Sequence, residues 1–294
     1  MITEQHKANL VSQSSLKPVS KVEEWIGIIL CILVLASGIV ERLVHVPLSY
    51  DAKFSPVFLP FIAAIIAATG FIRLNDHSRW LGMQQILRWT GLFLMIWTAN
   101  GLPLDLLRLT PLMPPGIDWP GFITKALAFA TAVVLARLVM KRPDNLMTTN
   151  IATWYGYAAF VLALPYPIMR TLWALGGTIG LIKPGAAGEG FLPWLASIPW
   201  ILAAILSLLL ITTSRWKPRR LLLTAGWFAT GIVAMIGPAA FWFIISSLVT
   251  GTDSDGSGIG IKFWVPCLFY SSWFFWSIAA AAATRSYQLR SAGS

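Results

Sequence analysis

The chain has 294 residues, of which 56% are hydrophobic and only 12% charged, and its formal net charge is +10. Average globular proteins carry about 25% charged residues, so this composition excludes an ordinary soluble domain. The mean hydropathy of +0.70 indicates that lipid surrounds most of the apolar surface. We therefore interpret the positive charge as charge that orients membrane helices, and we expect no nucleic-acid partner.

Residues 1–24 are polar and of mixed charge, which predicts a short cytoplasmic tail. The apolar run that begins at Trp25 is followed by Ala36-Ser37-Gly38, a sequence that would suit signal-peptide cleavage. Glu23 and Glu24 directly before the run are atypical of a signal peptide. We therefore expect the first apolar segment to stay in the protein.

Eight apolar stretches follow one another along the chain, and a helix needs about 20 such residues to cross the hydrocarbon layer. They predict an all-α integral membrane protein of about eight transmembrane helices over residues 25–284, with a cytoplasmic C-terminal tail at 285–294. The second stretch is short, and the seventh contains Gly237-Pro238, which we expect to kink it. The stretches are 25–46, 56–72, 84–104, 119–140, 151–173, 192–213, 221–249 and 261–284.

Lys and Arg residues sort into alternate gaps between these stretches. Fifteen of the 22 fall on the side of the two termini, and seven on the other side. Loops rich in Lys and Arg resist translocation, so this sorting predicts that both termini are cytoplasmic. The expected location is a bacterial-type inner membrane, with the lipid bilayer as the main partner.

Many of the 15 Trp residues lie near the ends of the predicted spans. Trp is typical of the membrane–water interface, where its ring sits at the headgroup level. We therefore interpret these residues mainly as anchors. They are Trp25, Trp80, Trp89, Trp119, Trp154, Trp194, Trp216 and Trp264.

Two short sequence matches connect spans that lie four apart. Trp25-Ile26-Gly27 opens the first span as Trp154-Tyr155-Gly156 opens the fifth, and Ser78-Arg79-Trp80 precedes the third as Ser214-Arg215-Trp216 precedes the seventh. The hypothesis is a tandem repeat of two four-helix units, with halves at 25–140 and 151–284. The alternative is chance, because tripeptide matches arise easily in a Trp-rich chain.

Motifs of common catalytic and cofactor sites are missing. The sequence has no HExxH zinc motif, no Walker or Rossmann glycine pattern and no GxSxG elbow. The histidines His6, His45 and His77 lie near the predicted surfaces, and Cys31 and Cys267 are interpreted as small buried hydrophobic residues. We expect no ionisable side chain in the middle of any span, and no metal or other cofactor.

Ionisable residues cluster instead at the outer ends of the spans, and such residues in membrane helices often mark functional sites. If the odd-numbered spans pack near one another, these groups line one pocket open to the outer leaflet. The alternative is that they reach the interface or pair locally, as Asp105 would with Arg108. The cluster comprises Glu41, Arg42 and His45 after the first span, Asp105 and Arg108 after the third, Lys125 in the fourth and Arg170 at the end of the fifth.

The most distinctive segment, residues 165–177, contains two prolines, Tyr166, Arg170 and Trp173 and ends in Gly176-Gly177. The prolines predict a broken helix that presents Arg170, and broken helices in membranes often line a cavity. Arg170 with Glu41 is the pair we expect to hold an anionic headgroup, because guanidinium binds such groups bidentately.

Trp173-Ala174-Leu175-Gly176-Gly177, placed after an aromatic and proline-rich helix end, resembles a motif of uncharacterised bacterial multi-pass membrane proteins. The similarity covers about a dozen residues, 165–180. It implies a bacterial source and four-helix units, and it implies no activity. The corresponding place in the first half, residues 38–47, lacks the motif, which weighs against a close repeat.

These observations leave three functional hypotheses. The first is binding or transport of a small amphiphilic or anionic molecule, either a lipid or another small ligand, at an outer-leaflet pocket. The second is a non-catalytic accessory subunit or assembly factor with a membrane-protein partner, for which Ala63 to Ala68 and Ala279 to Ala283 offer small-residue faces. The third, for which no nucleophile motif is present, is an intramembrane enzyme with Glu41 or Asp105 as general acid or base beside Arg170.

Overall fold

The computed structural model describes residues 21–44, 55–72, 78–110, 118–140, 149–183, 192–211, 219–250 and 260–290. His45, residues 1–20 and residues 291–294 lie outside these ranges. Within them the chain is helical and has no strand, although one isolated antiparallel bridge pairs Leu181 with Ile261. The described helices are α1 (Lys21–Val44), α2 (Leu59–Phe71), α3 (Ser78–Thr98), α4 (Leu102–Arg108), α5 (Trp119–Met140), α6 (Thr149–Ala163), α7 (Pro165–Ala174), α8 (Leu192–Ile211), α9 (Arg219–Thr250) and α10 (Trp264–Arg290).

Five helices are long and apolar enough to cross a membrane, so the all-helical membrane class is confirmed while the count of eight spans is not. The two shorter apolar helices are α2 and residues Ser197–Ile211 of α8. The five candidate spans are Lys21–Val44, Gly82–Arg108, Trp119–Val139, Arg219–Val249 and Trp264–Arg290.

Several helix boundaries differ from the predicted ones. Residues 21–24, predicted as part of the tail, form the first turn of α1, and α10 continues to Arg290 through residues assigned to the C-terminal tail. The third predicted span divides into α3 and α4 at Gly101, whose φ of 85° favours glycine. The fifth divides into α6 and α7 at Leu164, before Pro165, whereas α9 runs on through Pro238.

The chain forms two compact units. The first contains α1, α2, α3 and α5, and the second contains α4 and α6 to α10. In the first unit, α2 packs on α1 and α3, and α5 packs on the same two helices. In the second, α10 packs on α6 and α9, and α8 packs on the same two helices.

Within each unit, this packing contradicts the hypothesis that odd-numbered spans pack together. In the described part of each unit, the first and third spans are separated by the second and the fourth. Consecutive antiparallel helices share the shortest connections, so each helix packs beside its neighbours in the chain. Both units share this cyclic order, which is compatible with a tandem repeat.

In the first unit the helices approach most closely at small residues. A Cβ added at Gly91 of α3 would lie 2.9 Å from the Cα of Ala67 of α2, and one added at Gly27 of α1 would overlap the Phe71 ring. Ala63, Ala64 and Ala67 are fully buried there. Small residues let membrane helices approach closely enough for dense van der Waals packing.

The second unit uses small residues in the same way. A Cβ added at Gly237 of α9 would lie 2.9 Å from the Cα of Phe274 of α10. Alanines of α6, α8 and α10 form a buried core around Trp276. Packing within the units therefore accounts for the buried alanines that were considered as contacts for a partner subunit: Ala63, Ala64, Ala67, Ala279, Ala280 and Ala283.

Side chains from neighbouring helices satisfy the last carbonyl groups of α2 and α8. Arg88 Nε of α3 donates to the Gly70 carbonyl at 2.9 Å, and Gln84 Nε2 donates to the Ile72 carbonyl at 2.9 Å. Arg290 of α10 donates to the Leu210 carbonyl at 2.8 Å and to the Ile211 carbonyl at 3.2 Å. The last four carbonyls of a helix lack partners within it, so these contacts stabilise both helix ends.

Six of the eight tryptophans predicted as interfacial anchors are exposed, as such a role requires. The Trp216 anchor lies outside the described residues, as does the Ser214-Arg215-Trp216 half of the proposed repeat match. The exposed residues are Trp25, Trp89, Trp119, Trp154, Trp194 and Trp264.

We predict that Gly91→Ala destabilises the first unit, because the new methyl group would force α3 away from the α2 backbone. Overpacking of this kind costs about 1–3 kcal/mol. Gly82→Ala on the same helix is the matched control, since nothing lies within 4 Å of its added Cβ. Thermal unfolding in detergent should show a lower Tm for Gly91→Ala and an unchanged or higher Tm for Gly82→Ala. Equal effects would contradict the close α2–α3 contact.

Candidate functional site

The predicted site residues fall into both units. Glu41 and Arg42 belong to the first unit, and the remaining five belong to the second. The pairing of Glu41 with Arg170 therefore stays a prediction, and each unit is considered separately. The five residues of the second unit are Asp105, Arg108, Tyr166, Arg170 and Trp173.

The structure brings Arg170, Tyr166 and Trp173 together on α7. The Arg170 guanidinium carbon lies 5.2 Å from the centre of the Tyr166 ring and 5.6 Å from the Trp173 ring. Arg170 Nε donates a hydrogen bond of 3.1 Å to the Tyr166 hydroxyl. The spacings i−4 and i+3 place all three on one helical face, as the helix period requires. Aromatic contacts of this kind stabilise a cation by about 0.5–2 kcal/mol each.

Gly176 and Trp173 define how α7 ends. Gly176 adopts a φ of 88°, a left-handed conformation that costs residues other than glycine free energy. The amide of Gly177 donates to the Leu172 carbonyl at 2.8 Å, which satisfies one carbonyl of the last turn. Trp173 is 7% exposed, and its indole Nε1 donates to the Ile179 carbonyl at 2.8 Å. The Trp-Ala-Leu-Gly-Gly segment therefore forms the end of the helix and the start of a turn, and hydrogen bonds connect this turn to the last turn of the helix.

The turn after α7 is joined to the start of α10 by backbone hydrogen bonds. The Ile182 amide donates to the Gly260 carbonyl at 2.8 Å, and the Lys262 amide donates to the Gly180 carbonyl at 2.8 Å. A Cβ at Gly180 would collide with Val265, which explains the glycine at this position. These bonds hold the two segments together beside the Arg170 site.

Aromatic rings from α7, α8 and α10 pack together beneath Tyr166. Tyr166 lies 4.9 Å from Phe269 and 5.4 Å from Trp273, measured between ring centres. Trp200 stacks on Trp273 at 5.0 Å with an interplanar angle of 13°. The aromatic cluster comprises Tyr166, Trp173, Trp200, Phe269, Tyr270, Trp273 and Trp276.

This cluster was not predicted from the sequence, because the Trp residues were interpreted mainly as interfacial anchors. The available signal was the spacing of Phe269, Trp273 and Trp276 along α10, which places them within one sector of the helix. That signal could not identify their partners on α7 and α8.

Asp105 and Arg108 form a local ion pair on α4, as the alternative interpretation of the outer charges proposed. Arg108 Nη1 lies 2.8 Å from Asp105 Oδ1. Asp105 is 3% exposed, and the i,i+3 spacing lets both groups meet without a partner helix.

In the first unit, Glu41 at the end of α1 faces the beginning of α5. Its carboxyl group makes a hydrogen bond with the side chain of Thr124 and lies within electrostatic reach of Asp118, Arg42 and Lys125. The Thr124 hydroxyl also donates to the Pro120 carbonyl at 3.0 Å. A hydroxyl has one proton, so it can donate to only one of these acceptors at a time. The arrangement places two carboxyl groups beside two cationic groups.

Gly121 allows this arrangement, since Asp118 Oδ2 and Glu41 Oε1 lie 2.5 and 3.7 Å from the position that its Cβ would occupy. Asp118 lies one residue before α5 and was not among the predicted site residues. A single carboxylate one residue before a predicted span offers little signal, because its distance from Glu41 depends on how α1 and α5 pack.

Two cations that the sequence placed near span ends are buried. Arg88 is 5% exposed and lies in the middle of α3, and Lys125 is 7% exposed near the start of α5. Arg88 was expected near the membrane surface because the predicted span began at residue 84, but the helix begins at Ser78, ten residues before Arg88. Its contact with Gly70 gives it a structural role.

Within the described ranges, no three His, Cys, Asp or Glu residues are placed to hold a metal ion. Comparison with known proteins adds no assignment: no family model, curated protein or solved structure matches this chain.

We predict that Lys125→Met destabilises the first unit, because it removes a buried positive charge beside Glu41 and Asp118. Glu41→Gln in the same chain should restore part of the loss, since one carboxylate is then neutral. Coupling between contacting charged groups is typically about 0.5–3 kcal/mol. A double-mutant cycle on chemical unfolding in detergent measures this coupling. Additive effects would contradict the electrostatic contact, and Arg137→Met at the exposed end of α5 is the control.

Proposed function

We propose that the protein binds, and in that way carries or presents, a small amphiphilic molecule with an anionic group, and that Arg170 holds this group. The observation that supports the proposal is the position of the Arg170 guanidinium over the Tyr166 and Trp173 rings. The proposed location is the outer leaflet of a bacterial inner membrane.

The chemistry of guanidinium favours an anionic ligand. Its planar fork of N–H donors matches carboxylate and phosphate groups, which it binds through two parallel hydrogen bonds. The Tyr166 hydroxyl and the two ring faces restrict the rotamer of Arg170. A side chain held in this way loses less conformational entropy when a ligand binds.

Exposed apolar side chains on α7 and in the turn after it favour an amphiphilic ligand. Ile168, Leu175 and Ile179 are 52%, 76% and 57% exposed. An acyl or other apolar chain packed on these side chains would extend from an anionic group bound at Arg170. Burial of apolar surface that was in contact with water contributes about 25 cal/mol per Å². Where lipid already covers the surface, binding of an apolar chain gains only dispersion contacts. The anionic group therefore provides most of the selectivity.

We also propose that all eight apolar helical segments cross the membrane and that both termini are cytoplasmic. α2 packs antiparallel on α1 and on α3, as the Gly27–Phe71 and Gly91–Ala67 contacts require. If α1 and α3 cross in the same direction, α2 has to return the chain between them. Its 13 residues span about 20 Å, so the bilayer would thin locally around it.

We predict that Arg170→Ala removes a lipid or small anion that co-purifies with the protein. Loss of a charge-assisted hydrogen bond of about 1.5–3 kcal/mol weakens binding about tenfold to a hundredfold. Arg170→Lys keeps the charge but loses the planar fork, so its affinity should be intermediate. Native mass spectrometry of protein extracted gently from its own membrane measures the bound fraction.

Arg137→Ala is the matched control, because Arg137 is an exposed arginine on α5 of the other unit. It should retain the bound molecule. Equal retention by wild type, Arg170→Ala and Arg137→Ala, with unchanged Tm values, would refute the Arg170 site. A second polypeptide at fixed stoichiometry in the same spectra would favour the accessory-subunit hypothesis instead.

We predict that single cysteines at Ser254 and Ser214, placed in the chain after Cys31→Ser and Cys267→Ser, react with an impermeant thiol reagent from opposite sides. Both positions lie outside the described residues, in loops that the charge distribution assigns to opposite faces. Labelling of intact cells and of inverted vesicles measures the side. Labelling of both cysteines from the same side would contradict the eight-span topology.

A further inference from the structure

The Tyr166 hydroxyl has a proton that it does not donate within the described part of the chain. The hydroxyl accepts a hydrogen bond of 3.1 Å from Arg170 Nε, and it forms no other hydrogen bond within that part. A phenol hydroxyl both accepts and donates, whereas guanidinium only donates. The contact with Arg170 therefore uses the acceptor side of the hydroxyl and leaves its donor side for another group.

Tyr166 differs in this respect from the second ring beside Arg170. Tyr166 and Arg170 are both half-buried, so part of each side chain is accessible from outside the unit. Trp173 is buried, and its indole N–H is already donated to the Ile179 carbonyl. Of the two rings that flank Arg170, that of Tyr166 therefore offers the hydrogen-bond donor for a ligand.

The geometry of guanidinium places a bound oxyanion next to this donor. Nε and the Nη on the same edge direct two parallel N–H groups, which bind two neighbouring oxygens of a carboxylate or phosphate. At Arg170 the Tyr166 oxygen occupies the Nε position of this edge. A ligand oxygen bound by the neighbouring Nη then lies beside the Tyr166 oxygen and can accept its proton.

The contact with Arg170 also strengthens the Tyr166 donor. A hydroxyl that accepts a hydrogen bond from a cation is polarised by it and donates more strongly. Hydrogen bonds from hydroxyl groups to anionic oxygens are short and about twice as strong as those between neutral groups. An oxyanion accepts from both side chains, whereas an ammonium group accepts from neither, so the pair selects an oxyanion.

Phe269 of α10 contacts both rings that flank Arg170. Its ring centre lies 4.9 Å from that of Tyr166 and 6.1 Å from that of Trp173, and the rings meet edge to face at 66° and 67°. Aromatic rings prefer this arrangement, which restricts the direction of the Tyr166 ring. Phe269 is 6% exposed, so dense packing restricts its own ring as well.

We infer that Tyr166 is a second ligand-binding residue beside Arg170. Its hydroxyl accepts from Arg170 Nε and donates to the oxyanion of the ligand, which is a carboxylate or a phosphate. Phe269 is the positioning residue that directs the Tyr166 ring for this contact. The inference rests on the proposed function and specifies how the anionic group is bound.

Tyr166→Phe tests the donor, because it removes the hydroxyl and keeps the ring. The probes are dodecanoate and dodecyl phosphate, and native mass spectrometry of the full chain in lipid nanodiscs measures their dissociation constants. The variant should bind both about tenfold more weakly, the loss expected for a charge-assisted hydrogen bond. Tyr157→Phe is the matched control, since Tyr157 is 53% exposed on α6, and it should bind them as the wild type does. Unchanged binding by Tyr166→Phe would overturn the inference.

A fluorotyrosine in place of Tyr166 separates donation to the ligand from acceptance from Arg170. Fluorine withdraws electrons from the hydroxyl, which becomes a stronger donor and a weaker acceptor. Donation to the oxyanion predicts that the probes bind at least as tightly as in the wild type. Weaker binding would show that the hydroxyl only orients Arg170, and it would overturn the donor role.

Phe269→Leu tests the positioning role, since leucine keeps much of the apolar volume and removes the ring. Both probes should bind several-fold more weakly to this variant, whereas Phe269→Tyr, which keeps the ring, should retain the affinity. Phe275→Leu is the control on the same helix, because Phe275 is 50% exposed, and it should leave binding unchanged. Equal affinities of the wild type and Phe269→Leu would contradict the role of Phe269.

Arg170→Ala distinguishes this inference from the proposed function. If this variant binds the probes as the wild type does, the proposed function fails and the role of Tyr166 fails with it. If it binds them more weakly and Tyr166→Phe does not, only the role of Tyr166 fails. Inorganic phosphate at equal concentration should not displace dodecyl phosphate. Displacement that Tyr166→Phe weakens would assign the site to a soluble oxyanion, which contradicts the amphiphilic ligand and supports the Tyr166 contact.

Discussion

Backbone carbonyl groups at helix ends need hydrogen-bond partners, and this requirement governs much of the structure. In apolar surroundings no water satisfies them, so a side chain or another backbone segment must do so. Arg88 supplies the partner for α2, and Arg290 supplies partners for α8. In the region after α7, the Trp173 indole donates to a backbone carbonyl, and the 180–183 and 260–262 segments form backbone hydrogen bonds with each other. The contacts of Arg88 and Arg290 cross between helices and therefore also fix the packing of those helices.

The contacts of each charged side chain show whether it stabilises the fold or is a candidate for ligand binding. Arg88 is buried and donates to a backbone carbonyl, whereas the Arg170 guanidinium lies over two aromatic rings. Asp105 and Arg108 neutralise each other within one helix. The Glu41 cluster combines charges of both signs from two helices. Arg170 is therefore the charged group that we propose as the binding site for an amphiphilic anion.

The two units pack their helices in similar ways, but their interiors differ in chemistry. Both close four antiparallel segments into a cycle, and both bring helices together at glycine and alanine. The first unit has a cluster of ionisable groups at the junction of α1 and α5. The second has an aromatic cluster and several buried uncharged polar side chains. If the units are a tandem repeat, the conserved property is the order of packing, whereas the interior chemistry has diverged.

The sequence by itself determined the helical membrane class, the positions of the apolar segments, the break before Pro165 and the local Asp105–Arg108 pair. These features depend on composition and on residues a few positions apart, which periodicity and spacing report directly. Only the tertiary structure decided that Glu41 faces Thr124, that Arg88 lies within α3 and reaches α2, and that Trp200 stacks on Trp273. Such contacts join residues far apart in the chain, and they depend on how the helices rotate about their axes and on which neighbours they pack against. An apolar span surrounded by lipid carries little pattern to specify that rotation, since its buried and lipid-facing sides are similarly hydrophobic.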